Sequence, residues 1–86
     1  MPTIFQRLKR VVTDRLGVAE DLVVPTASFS RDLDTDSIEL VELALSIEEE
    51  FSDSSREIEI PDEVLEKILT IQDAVDYLRG QGIRDA

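Results

Sequence analysis

The dipeptide Asp36-Ser37 carries the clearest possibility of chemistry in this chain. Asp36 has the side chain of a helix N-cap, and Glu39, three residues on, completes the pattern of a capping box. Ser37 therefore stands in a first helical turn, where unpaired backbone N–H groups and the positive end of the helix dipole favour a phosphate ester by about 0.3–1 kcal/mol. A serine at this position is also the ordinary way for a helix to begin, so position alone does not assign it a role. The sequence contains no histidine and no cysteine. It thus lacks an imidazole base to activate the hydroxyl, a thiol nucleophile, a disulfide and a Cys/His zinc site. The chemical reading of Ser37 is an acceptor modified by another enzyme. Asp32, Asp34 and Asp36 alternate like the first acids of a calcium loop, but that template requires Gly sixth and Glu twelfth, where this chain has Ser37 and Leu43. No metal site is expected.

Twenty Asp and Glu residues against 9 Lys and Arg give a net charge of −11. Nucleic acids and anionic membrane surfaces repel such a chain, because their binders neutralise phosphates with Lys and Arg. The acid is concentrated around Ser37: residues 32–66 hold 14 acids and 1 base, whereas residues 1–31 hold 3 acids and 5 bases. The 42% hydrophobic content suffices for folding, and a length of 86 residues predicts one domain, 1–86, with a modest core. No apolar run reaches membrane-spanning length, and the N-terminal MPTIFQRLKR lacks the apolar stretch of a signal peptide. A monomeric cytoplasmic protein is the expectation.

Four helices account for the hydrophobic pattern. Ile4, Phe5, Leu8, Val11, Val12 and Leu16 share one face of a helix over 4–16, which Gly17 should cap. Residues 18–35 show no sustained period and predict a long loop pinned by Val18, Leu22, Val23, Phe29 and Leu33; loops of this length are uncommon unless functional. The second helix should run from the Asp36 cap to about Phe51. Ser52–Ser55 is a polar break, Ile58–Ile60 an apolar return, and Pro61 is suited to the first position of a short helix reaching about Ile68. Thr70 with Asp73 predicts a cap for a last helix bearing Ile71, Ala74, Val75 and Leu78, ended by Gly80 and Gly82. With no convincing strand, the expected architecture is all-α: a four-helix bundle of three main helices and one short one, with a long first connection.

The second helix has more apolar surface than a bundle can bury. Leu40, Leu43, Ala44, Ile47 and Phe51 fall in one arc and form its predicted core face. Ile38, Val41 and Leu45 fall in another, with Glu42 and Glu49 beside them. That second stripe is either covered by the loop or short helix, or meets a partner. Tyr77 and the three phenylalanines are expected to pack in the core.

Residues 27–51, ASFSRDLDTDSIELVELALSIEEEF, followed by 58–80, IEIPDEVLEKILTIQDAVDYLRG, resemble the acyl carrier protein family. The first helix and LGVAEDLVV fit as well, so the likeness extends over nearly the whole chain. The family's Asp-Ser-Leu motif stands here as Asp36-Ser37-Ile38. The resemblance implies an up-and-down bundle and a 4′-phosphopantetheine arm placed on Ser37 from coenzyme A by a phosphopantetheinyl transferase. The arm would supply the missing thiol, and acyl groups would ride on it as thioesters; the protein itself would be a carrier and no enzyme. By motif, Asp36 would assist recognition or metal-assisted transfer. Ile38, Val41 and Leu45 match apolar positions that meet partners, and Glu39, Glu42, Glu48 and Glu49 match acidic positions that meet basic patches on acyl-transferring, condensing and modifying enzymes. A growing acyl chain would insert between helices near Leu43 and Ile47.

Three departures bear on the pathway. Asp34 stands where many carriers have Gly, Ile38 replaces the usual Leu, and Ser52–Glu59 is longer than the matching stretch of common fatty-acid carriers. Fatty acid, polyketide and related lipid biosynthesis all remain open. Apart from the resemblance, the same residues also suit an unmodified acidic adaptor that docks one protein through Ile38, Val41 and Leu45.

Overall fold

In the computed structural model, residues 3–84 are described, and they form four α-helices: α1 (Ile4–Leu16), α2 (Ser37–Phe51), α3 (Asp62–Leu65) and α4 (Ile71–Gly80). The three longer helices start at reciprocal capping boxes. Thr3 pairs with Gln6, Asp36 with Glu39, and Thr70 with Asp73, each cap side chain accepting from the backbone N–H of its partner three residues on. The last two pairs were legible in the sequence. The Thr3-x-x-Gln6 pair has the same spacing and was legible by the same rule. Gly17 closes α1 at φ 67, a left-handed conformation that glycine adopts without steric cost.

One continuous core runs from Ile4 in α1 through Phe29, Leu43, Ile47 and Phe51 to Ile71, Val75 and Leu78 in α4, and ends on Ile83. Helix α1 packs against both α2 and α4, and Arg7 ties its start to the end of α2, donating to Glu50 Oε2 at 3.1 Å and to the Glu50 carbonyl at 2.9 Å. The radius of gyration, 11.8 Å, is close to the roughly 12 Å expected for a folded chain of this length.

Several expectations change in the structure. The 18–35 connection is an ordered loop, as expected, but it also holds a 3₁₀ turn at Glu20–Leu22, and Ser28 pairs with Thr70 in an isolated bridge, the Phe29 N–H donating to the Leu69 carbonyl at 3.0 Å. Val23, Phe29 and Leu33 are buried and Val18 is packed against the core, but Leu22 is exposed because the 3₁₀ turn directs it outward. Leu40, placed by periodicity in the core, is only half-buried. Helix α3 is a single turn ending at Leu65, and Pro61 precedes it as an extended N-cap, φ −63 and ψ 157, that supplies no side-chain hydrogen bond. Residues 66–67 form a turn and Ile68 enters the core without being helical. Of the aromatics, Phe29 and Phe51 are buried while Phe5 and Tyr77 are packed only partly.

The longer 52–61 segment is held from three sides. Ser52 Oγ accepts from the Ile58 N–H at 2.9 Å, Glu48 Oε2 accepts from the Ile60 N–H at 2.6 Å, and the Tyr77 hydroxyl donates to the Glu59 carbonyl at 2.7 Å. Asp53 and Arg56 close a tight turn, in which hydrogen bonds from the Ser55 hydroxyl and N–H hold the Asp53 carboxyl below its ordinary range. The Arg56 guanidinium donates to the Gly82 carbonyl at 2.7 Å, tying the turn to the end of the chain's last helix.

Partial burial raises the Tyr77 hydroxyl above the ordinary tyrosine range, and the nearby Glu48 and Glu59 carboxylates add to the rise. A raised acid keeps its proton longer when folded than when unfolded. Its stabilisation is therefore complete below the unfolded tyrosine pKa of about 10 and is lost as pH climbs through the folded value. Tyr77 is the sole tyrosine, so the ultraviolet absorbance of its phenolate reads it directly: the folded protein should titrate above free tyrosine, and Glu59→Gln should lower the midpoint. A midpoint at the free value would contradict the assignment.

Candidate carrier site

Helix α2 begins where Asp36 Oδ1 accepts from the Glu39 N–H at 2.8 Å and Glu39 Oε1 accepts from the Asp36 N–H at 3.3 Å. Ser37 is the first residue of the helix and is exposed. The loop approaches it under constraint: Asp32 Oδ2 accepts from the Ser28 N–H at 2.7 Å, and Asp34 takes a left-handed backbone at φ 51, the sole non-glycine to do so among the described residues. That conformation explains why glycine suits this position, and aspartate is among the side chains that tolerate it best. Asp32 and Asp36 thus serve the loop and the cap, and among the described residues no three acids gather where a metal ion could sit.

Below Ser37 the two faces of α2 part company. Leu43, Ala44, Ile47 and Phe51 are buried. On the opposite face Ile38, Val41 and Leu45 remain 69%, 47% and 54% exposed, so neither the long loop nor α3 covers them. Leu69, 63% exposed, adds an apolar side chain near the serine end, since its backbone pairs with Phe29 in the loop that leads to α2. Nothing in the helical period of the sequence could have marked it, because it lies in the irregular link before α4. The acids fall into two groups. Glu39 and Glu48 are engaged in the protein's own structure, at the cap and at Ile60. Glu42 and Glu49 are exposed, and among the described residues no hydrogen bond or ion pair engages their carboxylates. Beside Leu45, an open groove of about 550 Å³ runs between α2 and the 52–61 segment, with Glu49, Glu57 and Pro61 on its walls.

A second, smaller cleft of about 250 Å³ opens at Ser37 itself and is lined by Phe29, Thr35, Leu40, Leu65 and Leu69. The interior next to Leu43 and Ile47 is tighter: a narrow apolar space of about 10 Å³, room for no more than about one water. An acyl chain could enter there only by parting the helices.

With this geometry in view, comparison with protein families gives one clear match: a family model for the phosphopantetheine attachment site aligns with residues 6–78. The match takes in most of the chain, and the protein belongs to this family of phosphopantetheine carriers, in agreement with its resemblance to acyl carrier proteins. Such carriers hold 4′-phosphopantetheine covalently and catalyse no reaction of their own; the bound arm supplies a terminal thiol for thioester chemistry. The residues present fit the group. An exposed serine hydroxyl stands at the positive end of a 15-residue helix, no side chain covers it, and the adjoining cleft contains one buried hydroxyl, that of Thr35, without a partner.

The cap is open to test. Asp36→Ala removes the acceptor for the Glu39 N–H and should cost about 1 kcal/mol of stability. Asp36→Asn, which keeps an acceptor oxygen, should lose much less. Denaturant midpoints separate the two; equal losses would mean that the carboxylate charge, and not the cap, is what stabilises.

Proposed function

We propose that Ser37 bears the 4′-phosphopantetheine arm and that the protein carries acyl intermediates on it, as thioesters, between enzymes of fatty acid, polyketide or related lipid biosynthesis. The observation that carries this reading is the exposed Ser37 hydroxyl at the start of α2, within the segment matched to the attachment-site family. A phosphopantetheinyl transferase would load it from coenzyme A. The serine oxygen bonds to the phosphorus that bears the pantetheine, the bond from that phosphorus to the bridging oxygen breaks, and adenosine 3′,5′-bisphosphate leaves. The serine proton passes to the transferase, because the chain has no histidine to take it. Asp36 lies beside the reacting oxygen in sequence and in the cap, in a position to meet the transferase or its metal.

Partner enzymes with basic patches would meet the opposite face of α2. Ile38, Val41 and Leu45 supply apolar contact, and Glu42 and Glu49, uncommitted within the fold, supply the charge that steers encounter; Glu39 and Glu48 add to the field from their structural positions. Steering of this kind speeds association more than it adds lasting affinity, which suits a carrier that must leave each enzyme quickly.

Intact mass after incubation with coenzyme A and a phosphopantetheinyl transferase tests the attachment. The wild type should gain one phosphopantetheine and Ser37→Ala none; no gain in the wild type, or a gain that survives the substitution, would favour the unmodified adaptor. Steering is tested by the rate of acyl transfer from a partner enzyme. That rate should fall as salt rises, and it should fall by about tenfold or more in a Glu42→Lys/Glu49→Lys variant at low salt. Transfer by the double variant that matches the wild type at every salt concentration would refute it.

A further inference from the structure

Thr35 is the one buried polar residue among the described core, 8% exposed, and its Oγ1 has no hydrogen-bond partner. Its backbone N–H is already committed, donating to the Phe29 carbonyl at 2.9 Å, so the hydroxyl alone is left over. An unsatisfied buried hydroxyl is destabilising, a cost that a valine of the same shape would avoid. Thr35 also lines the cleft that begins at Ser37, where the apolar side chains of Phe29, Leu40, Leu65 and Leu69 stand together with the polar ones of Ser30, Asp36 and Glu66. Among these lining groups the Thr35 hydroxyl is the buried one without a partner, which suits a ligand that is partly apolar and carries a polar group near the serine. Two residues of chain span at most about 7 Å, so the backbones of Thr35 and Ser37 lie close together, and both residues line the cleft. In a phosphopantetheine arm, one methylene links the phosphate to the gem-dimethyl carbon, and a hydroxyl-bearing carbon and an amide come next.

We propose that Thr35 is a positioning residue for the arm: its hydroxyl bonds the hydroxyl–amide portion nearest the phosphate and draws the dimethyl group against Leu40, Leu65 and Leu69. The arm thereby lies in the cleft between encounters instead of extending freely into solvent, and a partner enzyme must break one hydrogen bond to draw it out. This rests on Ser37 as the attachment point. Threonine is suited to the role because its hydroxyl can either donate to an amide carbonyl or accept from an amide N–H.

The test is a cycle on the apo and arm-loaded forms of wild type, Thr35→Val and Thr35→Ser, loading first verified by intact mass. If the wild type takes no arm, the attachment reading fails, and this proposal falls with it. With loading confirmed, the arm should raise the wild-type melting temperature by about 4–8 °C, the shift that one satisfied hydrogen bond gives in a domain of this size. Thr35→Val should melt at or above the wild type when apo and lose most of the gain on loading, and Thr35→Ser should keep much of it. In the loaded proteins, NMR resonances of the arm's hydroxyl–amide portion should move between wild type and Thr35→Val while those of the thiol end stay in place. A gain equal in wild type and Thr35→Val, or no gain in either, overturns the proposal. So does an apo Thr35→Val protein that loses stability or fails to fold, since the hydroxyl would then be satisfied without the arm.

Discussion

The start of α2 is fixed by two reciprocal hydrogen bonds between Asp36 and Glu39, and the other functional features take their positions from it. The cap sets the residue at which the chain turns helical, and so it sets which side chains of the next 15 residues face the core. Leu43, Ala44, Ile47 and Phe51 anchor that orientation by burial. Once they are inside, Ile38, Val41 and Leu45 have no choice but to face solvent, and Ser37 must sit at the helix's positive end. A slip of one residue at the cap would rotate the helix by about 100° and bring the stripe and the acids out of register with the serine.

The acidity of the chain has a division of labour that composition hides. Asp32 and Asp36 hold the loop and the cap, Glu48 grips the Ile60 N–H, Glu50 pairs with Arg7, and Asp53 closes its own turn through Ser55. These carboxylates are occupied with local structure. Glu42 and Glu49, exposed and without such a bond among the described residues, project field beside the apolar stripe. Like charges crowded on a small fold repel one another, and the structure offsets part of this by engaging so many of them in charge-assisted hydrogen bonds to backbone N–H groups, which are stronger than neutral ones.

The segment after α2 shows how an irregular stretch is fastened to the helices. Three polar groups, the Ser52 and Tyr77 hydroxyls and the Glu48 carboxylate, satisfy or fasten its backbone while Ile58 and Ile60 bury their side chains. The outcome is a second wall facing Leu45 and Glu49 across an open groove. Asp34 shows the reverse case, a left-handed backbone kept without glycine, at a position where the chain must turn sharply into the cap.

Helix identity, the caps at Asp36 and Thr70, the placing of Ser37 at the start of α2 and all of its buried arc but Leu40 were written in local sequence, because capping spacing and helical period act over three or four residues. The loop's 3₁₀ turn with Leu22 outside, the single-turn α3 with Pro61 ahead of it, and the half-exposed Leu40 were not legible, since each depends on what lies opposite in space. The same is true of the α2 stripe. Periodicity showed that one set of apolar residues was surplus, but only the packing decided that no loop or helix covers Ile38, Val41 and Leu45. The sequence by itself determined that a serine follows the cap of α2 and what charge surrounds it. Tertiary structure decided what is left unsatisfied there, the bare stripe and the lone Thr35 hydroxyl, because exposure and hydrogen-bond pairing are settled by neighbours far apart in the chain.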